Sequence, residues 1–340
     1  MWAAQTDLKH AEKVKHYLLK HHLLHPDYKL VKEFGLIFFP LSQKAKVPQA
    51  KVVDVKFSFP PVNKNLTAKE LLKNKLTPQE LMLLPQSQEI VGSILILEIP
   101  PELQHQEKII AEAYLQQHKS IRTVVKKEHI HSGTYRTRTV SILAGKRTKE
   151  TIHRENGVQI KLHLEKTYFS ARLAHERMRI AQQVKKNEDI LVMFSGAGPY
   201  VLVLARHSHA RMIYAVEINP LAHRYAVDNL ELNHVQHKVK LMLGDVHDIV
   251  PQLPLKFDRI VMPLPKTGEE FLDAALSKSK QGTIIHLYAF LNETEIKAHG
   301  QKVKERCKQL KHLVKIRQAV KCGQFSPGVF RVCFDLNVLK

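Results

Sequence analysis

Cysteine is scarce in this chain: three residues in 340, Cys307, Cys322 and Cys333. Their spacing matches no metal-ligand pattern, and an odd count does not make a disulfide framework. A reducing cytoplasm is the expected setting. Acidic residues are also short in supply. Asp+Glu total 32 against Lys+Arg 53, a formal net charge of +21, and the pI is near 9.8. Such an excess points to a polyanionic partner, nucleic acid first; a basic proteome or solubility tuning is the plainer alternative. Long apolar runs are missing too. The longest, residues 190–205, is interrupted by Ser195, Gly196, Gly198 and Pro199, so it is not expected to span a membrane. The first ten residues lack the apolar stretch of a secretory signal. Histidine is plentiful (21 residues) but scattered, and pairs such as His21-His22 read as solvated helix surface, so no metal site is expected.

What remains is ordinary globular material, 44% hydrophobic and 25% charged, enough for two or three domains. Residues 7–24 repeat apolar side chains at helical spacing (Leu8, Ala11, Val14, Leu18), with Asp7 placed to cap. Two short strands around Gly35 and a third at 52–57 complete a small α+β unit over residues 1–61. Its roles are RNA docking or a structural cap. Residues 62–90 carry two capping-box patterns, Thr67–Glu70 and Thr77–Glu80, the second with proline at the first helical position. A strand at 90–98, a helix at 106–118 and alternating strands from 123, 138 and 158 make a second α+β unit, residues 62–164. Its loops are basic: Lys126, Lys127, Arg136, Arg138, Lys146, Arg147, Lys149, Arg154. Taken together these suit nucleic acid, against a charge-protected hairpin edge. Tyr135 beside Arg136 suits a splayed-out base.

From Ile190 onward strands and helices alternate as in a doubly wound sheet. The strand 190–194 runs into Ser195-Gly-Ala-Gly-Pro199, a tight turn opening a helix. The third glycine of a dinucleotide fingerprint is replaced by Val201, which disfavours a nicotinamide cofactor. Glu217 follows the second strand, 19 residues after Gly198, where an acid takes ribose hydroxyls. Asp245 follows the third, placed to accept from an adenine amino group. Either acid alone reads more readily as a helix N-cap. Together, around a G-x-G turn, they describe a cofactor pocket with Phe194, Gly196, Gly198, Pro199 and Pro265. The tail, 314–320 and 329–338 around Ser326-Pro-Gly328, forms a closing antiparallel hairpin. That ending is usual in S-adenosylmethionine methyltransferases and unusual in dehydrogenases.

Several stretches resemble the archaeal and eukaryotic tRNA methyltransferases that modify N1 of the guanosine 3′ to the anticodon, position 37. They are Ala11–Leu19, Gly133-Thr-Tyr-Arg-Thr-Arg138, Lys149–Gly157, Tyr168-Phe-Ser-Ala-Arg-Leu-Ala-His-Glu176, Met193–Pro199, Gly282–Phe290 and Ser326–Phe330. The resemblance implies an α/β fold: a class I, Rossmann-like S-adenosylmethionine methyltransferase domain over 165–340, preceded by two smaller α+β domains. It implies tRNA as substrate, S-adenosylmethionine as cofactor, and a monomer. It also implies Glu176 as general base, Arg136 as the partner of guanine O6, Tyr168 and Arg172 as organisers of the active site, and Glu217 as the ribose acid. Two positions depart from the family pattern. Val192 stands where an aspartate is usual, and Pro263-Leu264-Pro265 where Asn-Leu-Pro is usual.

The chemistry is consistent with those roles. Guanine N1 carries a proton at neutral pH and becomes nucleophilic only when a base removes it, a step worth about 10²–10⁴-fold. The charge that develops on O6 suits a guanidinium. Arg172 and Glu176, four residues apart, would share a helix face, where the plainer reading is a surface ion pair. Two further readings stay open: C-methylation or aminocarboxypropyl transfer on a wyosine-precursor base at the same position, and a non-catalytic RNA-binding protein of this fold.

Overall fold

The computed structural model describes residues 1–62, 66–132, 135 and 137–340, with the side chains of 129–132 left aside. Gly133, Thr134 and Arg136 lie outside the described residues. The chain divides into two compact units, 1–67 and 68–340.

The first unit is a four-stranded antiparallel sheet in the order β2-β3-β1-β4, from β1 (Trp2–Asp7), β2 (Val31–Glu33), β3 (Leu36–Pro40) and β4 (Lys51–Asp54). Helix α1 (Ala11–Lys20) buries Val14 and Leu18, as its periodicity requires. The expected helix start is corrected. Residues 2–7 are a strand, and Asp7 ends it rather than capping the helix directly. The Asp7 carboxylate accepts from the backbone N–H of His10, the residue at the N-cap, at 2.9 Å.

The second unit begins with α2 (Ala68–Leu72) and α3 (Pro78–Met82). At Thr77 the capping box is formed, the Thr77 hydroxyl accepting from Glu80 N–H at 3.2 Å and Glu80 accepting from Thr77 N–H at 2.8 Å. The expected single strand at 90–98 is instead a hairpin, β5 (Gln88–Val91) and β6 (Ile94–Leu97), turning at Gly92 with φ +57°. A Cβ there would lie 2.2 Å from the Thr151 hydroxyl, so glycine lets the turn seat against the next hairpin. Helix α4 (Glu107–Gln117) leads to β7 (Thr123–Ser132), parallel to β6. Strand β8 (Thr137–Gly145) closes this sheet, and β9 (Glu150–Glu155) with β10 (Val158–His163) forms a separate hairpin.

After α5 (Ala174–Gln182) the chain builds its largest sheet. In chain order the elements are β11 (Asp189–Met193), α6 (Pro199–His207), β12 (Met212–Glu217), α7 (Pro220–Leu232), β13 (Val239–Leu243), α8 (Val246–Ile249), β14 (Phe257–Met262), α9 (Leu272–Ser277), β15 (Ser279–Asn292), α10 (Ile296–Gln309), β16 (Val314–Ser326) and β17 (Val329–Val338). The strand order is β13-β12-β11-β14-β15-β17-β16, parallel except for β17, which runs antiparallel to both neighbours. The order reverses between β11 and β14, and ligands bind such sheets outside the carboxyl ends of the strands at that switch point. Strand β11 is buried throughout, as a central parallel strand with both faces covered must be.

Two asparagines fix the β9–β10 hairpin against this sheet. Asn229 on α7 accepts from Lys161 N–H (2.7 Å) and donates to Lys161 O and to Ala197 O (2.9 Å each). One turn on, Asn233 accepts from Gln159 N–H (2.8 Å) and donates to Gln159 O (2.6 Å). Their amides act as a surrogate strand for the edge of β10, and Asn229 also holds the glycine turn.

Candidate active site

A cavity of about 430 Å³ opens at the switch point, within the size range of small-ligand sites. Four strand ends build it: Phe194–Gly196 after β11, Glu217–Asn219 after β12, Asp245 and Val246 after β13, and Pro263–Pro265 after β14. Tyr135, Tyr168, Pro199 and Phe271 also line it. Phe271 packs edge-on against Phe194 with ring centroids 4.8 Å apart.

The glycine turn is shaped by backbone conformation. Gly196 and Gly198 have φ of +58° and +85°, and Gly198 is the N-cap of α6, followed by Pro199. That left-handed geometry is the reason for glycine at 198, where a Cβ would meet only ordinary contacts; Gly198 itself is not part of the cavity lining. Val201, at the third-glycine position, is buried in the core. The hydroxyl of Ser195 is buried and has no hydrogen-bond partner among the described residues. A buried orphan beside a cavity is the kind of group that a ligand satisfies.

Glu217 is tied to the turn. Its carboxylate accepts from Gly196 N–H at 2.6 Å and from Asn219 N–H at 2.8 Å. Burial pushes its pKa up, and the backbone donors oppose the shift. An ionised carboxylate offers about four acceptor positions, so capacity remains for ribose hydroxyls. Asn219 caps α7 through Leu221 and Ala222 and donates to Lys166 O at 2.8 Å. Asp245 does cap a helix, accepting from His247 N–H at 2.8 Å, and it lines the cavity as well. Val192 is fully buried in the core and does not line the cavity, whereas Pro263 is part of its wall.

Glu176 is placed differently. It is 3% exposed and is not part of the cavity lining. Its carboxylate accepts from Tyr288 O–H (2.6 Å), Arg179 Nε (2.7 Å) and Arg179 Nη2 (2.9 Å). Tyr200, which does line the cavity, donates its hydroxyl to Tyr288 at 3.0 Å. The expected shared face with Arg172 is corrected. Residues 171–173 form a 3₁₀ turn before α5 begins, so the spacing is nearer three residues per turn than 3.6. Arg172 is exposed while Glu176 is buried, and the partner of Glu176 is Arg179.

Sequence reasoning missed Arg179 and the network beyond it. That guanidinium also donates to Asp335 at 2.7 Å. Asp335 accepts from His286 Nδ1 (2.6 Å) and Gln318 (2.6 Å). Arg259 donates to His286 Nε2 (2.7 Å) and pairs with Glu188 (2.8 Å). Burial acts to raise the Asp335 pKa, but hydrogen bonds from His286 and Arg179 outweigh it and hold the carboxyl well below the usual range. Burial drives the Tyr200 and Tyr288 phenols well above theirs. His286, Cys333 and Asp335 lie close enough together to hold a cation, but Arg179 and Arg259 already direct guanidinium groups at them. His286-Leu-Tyr288, within the 282–290 stretch, is the sequence signal for this network.

Four residues of the basic stretch of the second unit are paired with acids. Arg138 is buried and forms a two-pronged pair with Glu89. Lys126, Lys127 and Lys149 reach Glu107, Glu98 and Glu165 at 2.7–2.8 Å.

The strand order, the glycine turn and the acids at two successive strand ends define a class I, Rossmann-like methyltransferase domain. Residues 151–316 match the family model of the TRM5/TYW2 methyltransferase domain, residues 68–148 the TYW2 N-terminal domain, and residues 5–49 the tRNA methyltransferase 5 N-terminal domain. Trm5b of Pyrococcus abyssi, a tRNA (guanine(37)-N(1))-methyltransferase, is 35% identical over 338 residues, 99% of this chain and 98% of the relative. The chain belongs to the TRM5 family. The crystal structure of the P. abyssi protein superposes with a TM-score of 0.75 over the whole of both chains at 34% identity. A complex of aTrm5 with tRNALeu gives 0.71 at 26% identity, and Methanocaldococcus jannaschii Trm5 with adenosine 0.65 at 26%, each over the whole of both chains. Among the described residues no helix is long and apolar enough to cross a membrane.

Proposed function

We propose that the protein methylates N1 of guanosine 37 in tRNA, using S-adenosylmethionine. The observation that carries this is full-length similarity to a guanine-37 N1 methyltransferase together with a cavity whose wall supplies the acids for a nucleoside cofactor. The excess of basic residues suits tRNA, and the sparse cysteine suits the cytoplasm. We read the chain as a monomer of three domains, 1–61, 62–164 and 165–340.

S-adenosylmethionine supplies an electrophilic methyl group. Glu217 would hold its ribose hydroxyls, Asp245 its adenine amino group, and Phe194, Gly196, Gly198, Pro199 and Pro265 the surrounding shape. The chain must then take a proton from guanine N1 and stabilise O6. Glu176 is the base, one helical turn beyond Leu173 of the cavity wall. Catalytic hydrogen bonds often form only once substrate is in place, and here the carboxylate must turn from Tyr288 and Arg179 toward the base. Arg136 supports O6; Tyr135, its neighbour in sequence, lines the cavity. Tyr168 shapes the wall beside the target, and Arg172 organises the approach. A flipped loop base is the substrate these roles require.

The test is incubation with methyl-labelled S-adenosylmethionine and an unmodified tRNA transcript carrying guanosine 37, followed by nucleoside analysis. N1-methylguanosine is expected. Label in another nucleoside, or none with RNA still bound, contradicts the reading. A second reading is favoured by one observation, the TYW2-type N-terminal match over 68–148. On that reading the substrate is a wyosine-precursor base at the same position, and Pro263 replaces the usual asparagine because guanine is not the target.

A further inference from the structure

A second cavity, of about 310 Å³, stands behind the first. The two share the wall Tyr168, Phe169, Ser170 and Leu173. The far side of the second cavity comes from the closing hairpin, β16 and β17, and from the end of β15. There Phe325 is 47% exposed, with its ring centroid 4.0 Å from that of Phe290. The Arg331 guanidinium lies over the Phe290 ring at 5.1 Å and donates to the Tyr168 hydroxyl at 2.7 Å. Arg331 is nine-tenths buried, and its Nε has no partner among the described residues.

The charges of this lining do not cancel. Four cationic side chains face two carboxylates. Glu89 is taken by both prongs of Arg138, and Glu98 by Lys127 at 2.8 Å. Neither Arg172 nor Arg331 forms an ion pair with an acid among the described residues, and Arg331 donates instead to the Tyr168 hydroxyl. A buried guanidinium without a carboxylate is costly, and the ligand that repays it is an anion. An exposed aromatic ring beside two uncompensated guanidinium groups offers both halves of a nucleotide site, a stacking face and a phosphate clamp.

We propose that this second cavity binds one unstacked nucleotide adjoining the methylated one. Phe325 is the platform for its base, and Arg172 with Arg331 receive its phosphate. The inference rests on the reading that a single-stranded tRNA loop is the substrate. The target base itself must meet the cofactor cavity, and buried Phe169 and Leu173 stand between the two spaces, so the second space holds a neighbour of the target. Through Tyr168, Arg331 also couples that neighbour to the wall the target rests on.

The probe is an anticodon stem-loop RNA with 2-aminopurine at either nucleotide flanking the target, titrated without cofactor. Its fluorescence should be quenched by the wild-type protein at one of the two positions and not by Phe325→Ala. Phe325→Ala should weaken binding of the stem-loop roughly tenfold, within the usual worth of one stacked base. Phe325→Trp should restore both signals. Arg172→Ala should lower the salt dependence of binding by about one phosphate contact. In turnover, KM for tRNA should rise in Phe325→Ala while kcat and cofactor affinity hold. Unchanged stem-loop affinity in Phe325→Ala, quenching that persists there, or no rescue by tryptophan overturns the proposal. The binding arm requires no methyl transfer. A failure of the methylation reading alone would leave the quenching in place, and a failure of this site alone would leave N1-methylguanosine forming at wild-type KM.

Discussion

The cofactor cavity and the Glu176 network lie within one unit but are built on opposite plans. The cavity is made of strand ends. Its main walls come from four successive loops between Phe194 and Phe271, and its key contacts are backbone conformations and N–H groups: φ at Gly196 and Gly198, and two amides on Glu217. The network is made of side chains that meet across long spans of sequence, Glu176 with Tyr288, Arg179 with Asp335 and Arg259 with Glu188. One plan makes a shape from local rules. The other stores charge inside the core, where each group depends on every partner.

Variants that leave Glu176 in place should separate the two plans. The largest effect is expected at Asp335. Asp335→Asn leaves His286 without a charged acceptor and removes one of the two carboxylates that hold Arg179, and breaking a buried pair costs about 3–5 kcal/mol, measurable by urea unfolding. The pH dependence has a definite sign. The Asp335 pKa is lowered in the folded state. Its contribution is therefore complete above the unfolded carboxylate value of about 4 and is lost as pH falls through the lower folded value. The stability gap between wild type and Asp335→Asn should narrow in strong acid; a gap that widens contradicts the assignment.

Glu217→Gln should act next most strongly, and on the other region. Loss of the charged acceptor should weaken S-adenosylmethionine binding by about 2 kcal/mol, read by calorimetry, with little change in tRNA affinity. Because burial raises the Glu217 pKa, wild-type cofactor affinity should begin to fall at a higher pH than an ordinary glutamate would dictate. Glu217→Gln should lack that fall.

The smallest effect is expected at Gly198. Alanine meets no clash there but must adopt φ +85°, which costs about 1–2 kcal/mol. A loss of that size in thermal unfolding, with cofactor affinity reduced no further than stability explains, would show that Gly198 works through the backbone.

This contrast also decides what the sequence made legible. The doubly wound sheet, the glycine turn, Glu217 and the closing hairpin follow from periodicity and from fixed offsets after strands, because local rules produce them. The hairpin at Gly92 was read as one strand because its apolar residues run through the turn, and glycine was needed there for contact with Thr151. The strand at 2–7 was missed because its partners are β3 and β4, about thirty to fifty residues away. That Arg138 of the basic loops is buried against Glu89 is not visible in the sequence, because the two residues are far apart along the chain. Arg172 and Glu176 were expected to share a helix face because a 3₁₀ turn is not visible in a four-residue spacing. Asp245 showed that the two readings of an acid after a strand are compatible: it caps a helix and lines the cavity.

The central claim is that Glu176, held by Tyr288 and Arg179 in this structure, is released to take the proton from guanine N1. The most direct measurement is single-turnover methyl transfer to guanosine-37 tRNA by wild type and Glu176→Gln, with cofactor and tRNA dissociation constants measured on the same preparations. The account predicts a rate lower by about 10²–10⁴-fold with both dissociation constants nearly unchanged. A variant that transfers the methyl group at the wild-type rate, or that loses activity only in proportion to lost folding, would contradict it.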